Sequence, residues 1–253
     1  VTIHRDLQQD IWDAQADCKL LSVNGFYVVG KGIIDNIITL AYADADQAGN
    51  ELQGEQVSAY SDLMAASQSL IAEQVLGSYA MRRHRRILDV GGGQGAFLDA
   101  VARRWPHLEL MLFDLPAVAE RGRERLLANH PGRSVQTFGG DFFIDSLPDG
   151  ADLITLVRVI HDHNDPEVLS LLRAVRQQLQ PGGVLLLAEP MAGEKATDRV
   201  ADAYFGLYLL AMGKGRARNP EELTDLLRQA GFARTRLLAS HMPLQTRIML
   251  AYT

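Results

Sequence analysis

Arg86-Ile87-Leu88-Asp89-Val90-Gly91-Gly92-Gly93-Gln94-Gly95-Ala96 is the stretch on which the fold reading turns. A short apolar run ends at an acid and a glycine cluster, and a helical pattern follows. This reads as a buried strand, a tight turn and a helix start. Glycines permit the turn and let a ligand approach the backbone, and the helix N-terminus offers unpaired N–H groups to a carboxylate or phosphate. The motif alone leaves the ligand open. Gly91, Gly93 and Ala96 also satisfy the G-x-G-x-x-A spacing of nicotinamide-dinucleotide sites.

Outward from this turn the chain alternates strand and helix. Tyr60 to Leu76 has helical period. The runs LELMLFD (108–114), SVQTF (134–138), DLITLV (152–157) and GVLLLAE (183–189) recur at βαβ spacing. Such alternation predicts an α/β, doubly wound, Rossmann-like parallel sheet with helices on both faces. After 152–157 a helix is expected with Asp165 as N-cap, Pro166 at its first position and Val168, Leu171, Leu172, Val175 and Leu179 on one face. Pro181-Gly182-Gly183 stops it. ARTRLLAS and QTRIMLAY then read as a closing antiparallel pair. A dinucleotide fold would continue with parallel units there, so this ending favours the class I methyltransferase form of the sheet. Residues 1–57 read as a short helical N-terminal extension, with weak amphipathic stretches at Ile3 to Leu21 and Ile33 to Ala43 and a polar linker, DADQAGNELQGEQ. Residues 58–253 form the main domain.

Bulk composition narrows the class. Of 253 residues, 47% are hydrophobic and 22% charged, near globular averages, so a core is expected and global disorder is not. The net charge of −6 argues against nucleic acid. Cys18 is the single cysteine, so no internal disulfide forms and a reducing cytoplasm is the simplest setting. No apolar stretch approaches the roughly 20 residues of a membrane span. The first residues, VTIHRDLQQD, lack a signal-peptide layout and an initiating Met, as a fragment or processed form would.

Three acids at successive strand ends separate the candidate ligands. Asp89 stands two residues before the first glycine, where it suits the ammonium end of S-adenosylmethionine and would repel a pyrophosphate. Asp114 suits a ribose diol under either reading. Gly140-Asp141-Phe142 follows the third strand, where the acid can take an adenine amino group and the ring can cover the base. His161 follows the fourth strand, at the sheet edge where such folds bind ligands, and a neutral imidazole has the basicity to accept a proton near neutral pH. Glu189 closes the fifth strand, placed to hold one ring nitrogen.

LDVGGGQGAFL, FDLPAV, GGDFF, RVIHDHND, QPGGVLLLAEP and GRARNPEELTDLLRQAGF together resemble the plant-type S-adenosylmethionine-dependent O-methyltransferase family and its bacterial relatives, from about residue 58 onward. LMAASQ, HDHND, EPM and AYFGLYLLAMGKGRARNPEEL bring the likeness nearest to the bacterial carotenoid (hydroxyneurosporene or demethylspheroidene) O-methyltransferase group. The resemblance implies S-adenosyl-L-methionine as cofactor, held by Gly91, Asp114, Asp141, Phe142 and Arg158, with His161 as general base and Glu189 orienting it. Asp89, Gly93 and Gly140 complete the expected cofactor set. The sequence departs from the pattern at His163, where the family has Trp, and at Ala217, where plant members carry a second supporting acid.

The cluster His161-Asp162-His163-Asn164-Asp165 is not expected to hold a metal, because its side chains would diverge. Residues 200–212, VADAYFGLYLLAM, are apolar on nearly all faces, as a substrate wall or a core or dimer-interface helix would be. The expected partners are a small hydrophobic hydroxylated substrate, a second copy in a homodimer, and a membrane touched peripherally to reach the substrate. The leading expectation is methylation of a hydroxylated carotenoid. A phenolic or polyketide hydroxyl, C-methylation of a bacteriochlorophyll precursor and a non-catalytic cofactor-binding or dimerisation role stand as alternatives.

Overall fold

The computed structural model describes residues 68–192, 214–239 and 246–253, together with two short strands near the start, β1 (Lys19–Leu20) and β2 (Val28–Val29). These two pair antiparallel, Lys19 with Val29 and Leu20 with Val28. Lys19 and Leu20, within the Ile3 to Leu21 stretch, are thus extended and not helical as its weak period suggests. The rest of the N-terminal segment and the 200–212 stretch lie outside the described residues.

Seven further strands form one sheet: β3 (Arg86–Val90), β4 (Glu109–Asp114), β5 (Val135–Gly139), β6 (Leu153–Val157), β7 (Val184–Glu189), β8 (Arg234–Leu237) and β9 (Arg247–Tyr252). Their order is β5-β4-β3-β6-β7-β9-β8. The first five are parallel, while β9 runs antiparallel between β7 and β8. The antiparallel ending is thus as read, with the last strand inserted inside its predecessor. The helices are α1 (residues 68–78), α2 (Ala96–Arg104), α3 (Pro116–Asn129), α4 (Asp165–Gln178) and α5 (Pro220–Gln229).

Strand period 2 sorts the core into two layers. Leu88, Ile154, Leu185 and Leu187 face Val168, Leu171 and Val175 of α4 and Leu223 and Leu227 of α5. Ile87, Leu110, Leu153, Leu186 and Ile248 face Ile71 and Val75 of α1 and Leu98 and Val101 of α2. All six residues of β7 are buried, which explains its apolar run from Val184 to Ala188.

The start of α4 differs from expectation. Its N-cap is Asn164, in extended conformation, and the Asn164 N–H donates to Glu167 Oε2 at 2.9 Å. The Asn-x-x-Glu spacing makes a capping box, and that pattern overrides the Asp-Pro reading. Asp165 becomes the first helical residue and is released to bind Arg216 and Arg218.

Strand order reverses between β3 and β6, so the turn after β3 and the turn after β6 diverge and leave a crevice at their carboxyl ends.

Candidate active site

The crevice is a cavity of about 180 Å³ lined by Gln68, Ile71 and Ala72 of α1, Asp89, Gly91, Gly92, Gly93, Phe97, Val157, Arg158, His161 and Asp162. It joins the glycine turn to the predicted base. Gly91 has φ +67°, and a Cβ there would sit 2.9 Å from Val159 Cγ2, so the turn needs glycine for both conformation and space. The Gly93 N–H donates to Asp114 Oδ2 at 2.7 Å, and the Leu115 N–H donates to Asp114 Oδ1 at 2.7 Å. Asp114 thereby braces the turn and stands at its rim.

Asp89 is fully buried under the turn, where its register partner on β6 is Thr155. The Thr155 hydroxyl donates to Asp89 Oδ1 at 2.6 Å, while Oδ2 has no hydrogen-bond partner among the described residues. Burial pushes the Asp89 carboxyl up to about 7, against a lowering by the Thr155 hydrogen bond and with a further rise from Asp114. A buried carboxyl with an unused oxygen beneath a glycine turn suits a cation.

Gly140 follows β5, and its N–H donates to the Asp114 carbonyl at 3.0 Å. Asp141 accepts the Phe143 N–H at 2.8 Å. Phe142 meets Phe143 and His163 edge-on, with centroids 4.6 and 5.7 Å away. His163, standing where the family has Trp, therefore joins this aromatic group. Burial lowers its pKa, and its Nδ1 has no hydrogen-bond partner among the described residues.

Arg158 is the one non-glycine with positive φ among the described residues, +57°. Its N–H donates to the Ala188 carbonyl at 2.8 Å, which ties the end of β6 to β7 and brings the following residues over Glu189. Strain of this kind persists where the surroundings over-determine it. The chain then makes a 3₁₀ turn, Ile160–Asp162, carrying His161, which is 3% exposed. His161 Nδ1 lies 2.8 Å from Glu189 Oε2. Glu189 Oε1 accepts the N–H groups of Val159 and Ile160 at 2.8 and 2.9 Å. His161 Nε2 is 3.3 Å from Asp162 Oδ1, a contact that lacks hydrogen-bond alignment. An ionised Glu189 makes Nδ1 the donor and leaves the lone pair at Nε2, the arrangement a general base needs.

Among the described residues no group of His, Cys, Asp and Glu could hold a metal ion. The expected set Asp89, Gly91, Gly93, Arg158, His161 and Glu189 comes together around one crevice and the dyad behind it. Asp114, Gly140, Asp141 and Phe142 flank it at the ends of β4 and β5. Spacing does not single out Thr155, Asp162 or Arg218. The signal for Thr155 is its place as the sole polar residue of a buried strand, where a hydroxyl needs a partner.

The O-methyltransferase domain model matches residues 45–233. The chain belongs to the O-methyltransferase family. Among relatives of this family, demethylspheroidene O-methyltransferase of Cereibacter sphaeroides is 43% identical over 196 residues, 78% of this chain and 52% of the relative. The 3-hydroxy-5-methyl-1-naphthoate 3-O-methyltransferase of Streptomyces sahachiroi is 33% identical over 69% of this chain and 51% of its own length. The chain thus spans about half the length of these O-methyltransferases. The crystal structure of human N-acetylserotonin methyltransferase in complex with SAM superposes with TM-score 0.65 and 26% identity, over 77% of this chain and 55% of that one.

Proposed function

We propose that this chain transfers the methyl group of S-adenosylmethionine to a hydroxyl oxygen of a hydrophobic acceptor, in the first instance a hydroxylated carotenoid of the demethylspheroidene or hydroxyneurosporene type. The observation that carries the reading is the buried His161–Glu189 dyad opening into the same crevice as the glycine turn. When bound, S-adenosylmethionine supplies an electrophilic methyl on a sulfonium. The rest is the work of this chain's own side chains. Asp89 offers its unused oxygen to the cationic end, the Gly91–Gly93 turn admits the ligand to the backbone, and Asp114 takes the ribose at the rim. Asp141 and Phe142 receive the adenine, and Arg158 lines the floor. His161 accepts the acceptor's hydroxyl proton at Nε2, and Glu189 holds Nδ1–H so that the proton leaves as the new bond forms. Methyl transfer from a sulfonium would disperse charge, so exclusion of water from the site would favour it.

The carotenoid acceptor is supported by likeness to the Cereibacter enzyme. A phenolic acceptor is the second reading, supported at lower identity by the naphthoate enzyme. In this proposal residues 1–57 are an N-terminal segment that contributes to dimerisation, 58–253 are the catalytic domain, and the working unit is a cytoplasmic homodimer touching a membrane peripherally to collect its substrate. The single cysteine supports a reducing setting, and no described helix is long and apolar enough to cross a membrane. Incubation with methyl-labelled cofactor and a panel of hydroxycarotenoids and phenols tests the reading. Label is expected in the carotenoid. Label confined to phenols would replace the acceptor, and label in neither would reject the activity.

A further inference from the structure

The turn that carries His161 is poorly held by its own bonds. Asp162 N–H reaches the Val159 carbonyl at 3.4 Å and His163 N–H reaches the Ile160 carbonyl at 3.3 Å, both long. Its geometry is imposed from outside. On the amide side Glu189 accepts the Val159 and Ile160 N–H groups. On the carbonyl side stands Arg218, 2% exposed. Its NH1 donates to the Ile160 carbonyl at 2.8 Å and more weakly to the Arg216 carbonyl at 3.3 Å, and its NH2 donates to the His163 carbonyl at 2.6 Å. Its Nε donates to Asp165 Oδ1 at 2.8 Å. The planar fork therefore brackets His161 and Asp162 from both ends and fastens them to the first residue of α4.

The segment that presents Arg218 is pressed onto the same turn. Gly215 has φ +84°, and a Cβ there would overlap the carbonyl oxygen of His161. Its N–H donates to Asn164 Oδ1 at 3.2 Å. Arg218 is itself located by a bridge to Met191 and by the Ala192 N–H donating to its carbonyl at 3.0 Å. Arg216 shares Asp165 at 2.9 Å and Glu222 at 2.7 Å, which holds the acid toward both arginines. Hydrogen bonds from Arg216 and then Arg218 keep the Asp165 carboxyl below the usual carboxylate range, so it stays an anion. Burying a guanidinium is unfavourable unless it is fully paired, and here the pairing includes the Asp165 carboxylate and two carbonyls at the His161 turn.

We infer that Arg218 is a positioning residue: it fixes the carbonyl side of the His161 turn as Glu189 fixes the amide side, and so sets the direction of the imidazole. The inference rests on His161 as the base proposed above. A misplacement of about 1 Å at a catalytic group can cost a hundredfold in rate.

The test uses the full chain, with Arg218→Lys, Arg218→Ala and Gly215→Ala. Gly215→Ala pushes on the His161 carbonyl of the same turn and keeps the guanidinium. The first readout is the ring ¹⁵N and downfield N–H resonances of the His161–Glu189 pair, assigned by their loss in His161→Ala. The second is methyl transfer to demethylspheroidene, split into kcat and KM, beside cofactor affinity by calorimetry. The expected result is a shifted or broadened His161 resonance in all three variants. A kcat lower by roughly a hundredfold is expected with it, while cofactor affinity changes by less than about threefold. Arg218→Lys should keep more rate than Arg218→Ala, and added guanidinium should restore part of the loss in Arg218→Ala. Unchanged resonance and kcat in folded Arg218→Lys and Gly215→Ala would overturn the inference. So would losses of rate that merely track losses of cofactor affinity and melting temperature. If His161→Ala stays active while the Arg218 variants still move the resonance, the clamp stands and the base assignment falls.

Discussion

Asp89 carries an unusual load for a residue with no exposed surface. Its carboxyl keeps a proton up to about pH 7 in the folded chain, against about 4 for an ordinary Asp. Between those values the folded state binds more protons than the unfolded state, so this group's contribution to stability is present at low pH and lost as pH rises through 7. Asp89→Asn removes the titration. Its stability relative to the parent should therefore rise between pH 5 and pH 8 by roughly 2–3 kcal/mol. Urea denaturation of both proteins at the two pH values measures this, and parallel profiles would show that the carboxyl ionises normally. At His161, replacement by Ala should leave cofactor affinity nearly intact and lower turnover by about 10²–10⁴. Glu189→Gln should be nearly as damaging. Glu189 Oε1 serves two backbone N–H groups, so the amide oxygen must stay there and the amide NH₂ must face Nδ1. The neutral ring then carries its proton on Nε2, the wrong tautomer for a base, and a loss on the order of 10³ is expected. Steady-state rates beside calorimetric affinities separate these effects. Asp114→Ala should weaken S-adenosylmethionine binding about ten- to a hundredfold, the effect of losing a charged hydrogen bond of roughly 1.5–3 kcal/mol. A titration showing unchanged affinity would remove Asp114 from the site.

Among the elements, α5 shows how local sequence chemistry places the clamp. Asn219 is its N-cap: the Glu222 N–H donates to Asn219 Oδ1 at 2.9 Å, and the Asn219 N–H donates to Glu222 Oε2 at 2.9 Å. Pro220 supplies a first helical residue with no N–H to satisfy. The cap directly follows Arg218 in the chain, so its loss frays the helix beside the arginine. Asn219→Ala should cost about 1 kcal/mol in a denaturation experiment. Most of the parallel strands were legible because they are short, largely apolar runs bounded by turn residues, and β7 is apolar up to Glu189 because both its faces are covered. The start of α4 was misread by one residue, since Asp-Pro and Asn-x-x-Glu are both start signals and only the bonds made choose between them.

At the scale of the molecule the sheet closes through its last strand. Residues Ile248 to Ala251 of β9 are buried, and the strand pairs with β7 on one side and β8 on the other. Deleting residues 246–253 should therefore abolish soluble, cooperatively folding protein, because it strips both the partner of β8 and one edge of β7. Circular dichroism and a melting curve check this, and a folded truncated chain would show that β9 is dispensable. The sequence by itself determined the alternation of strands and helices, the glycine turn, the antiparallel ending and the residue types at each strand end. These follow from local period and turn chemistry, which act between near neighbours. Only the tertiary structure decided that Thr155 lies beside Asp89, that Glu189 grips two amides as well as the imidazole, and that Arg218 closes on the far side of the same turn. Those partners are separated by 66, 28 to 30 and 55 to 58 positions. Contacts at that range are set by strand register and by which elements the sheet makes neighbours, and no periodicity along the chain encodes them.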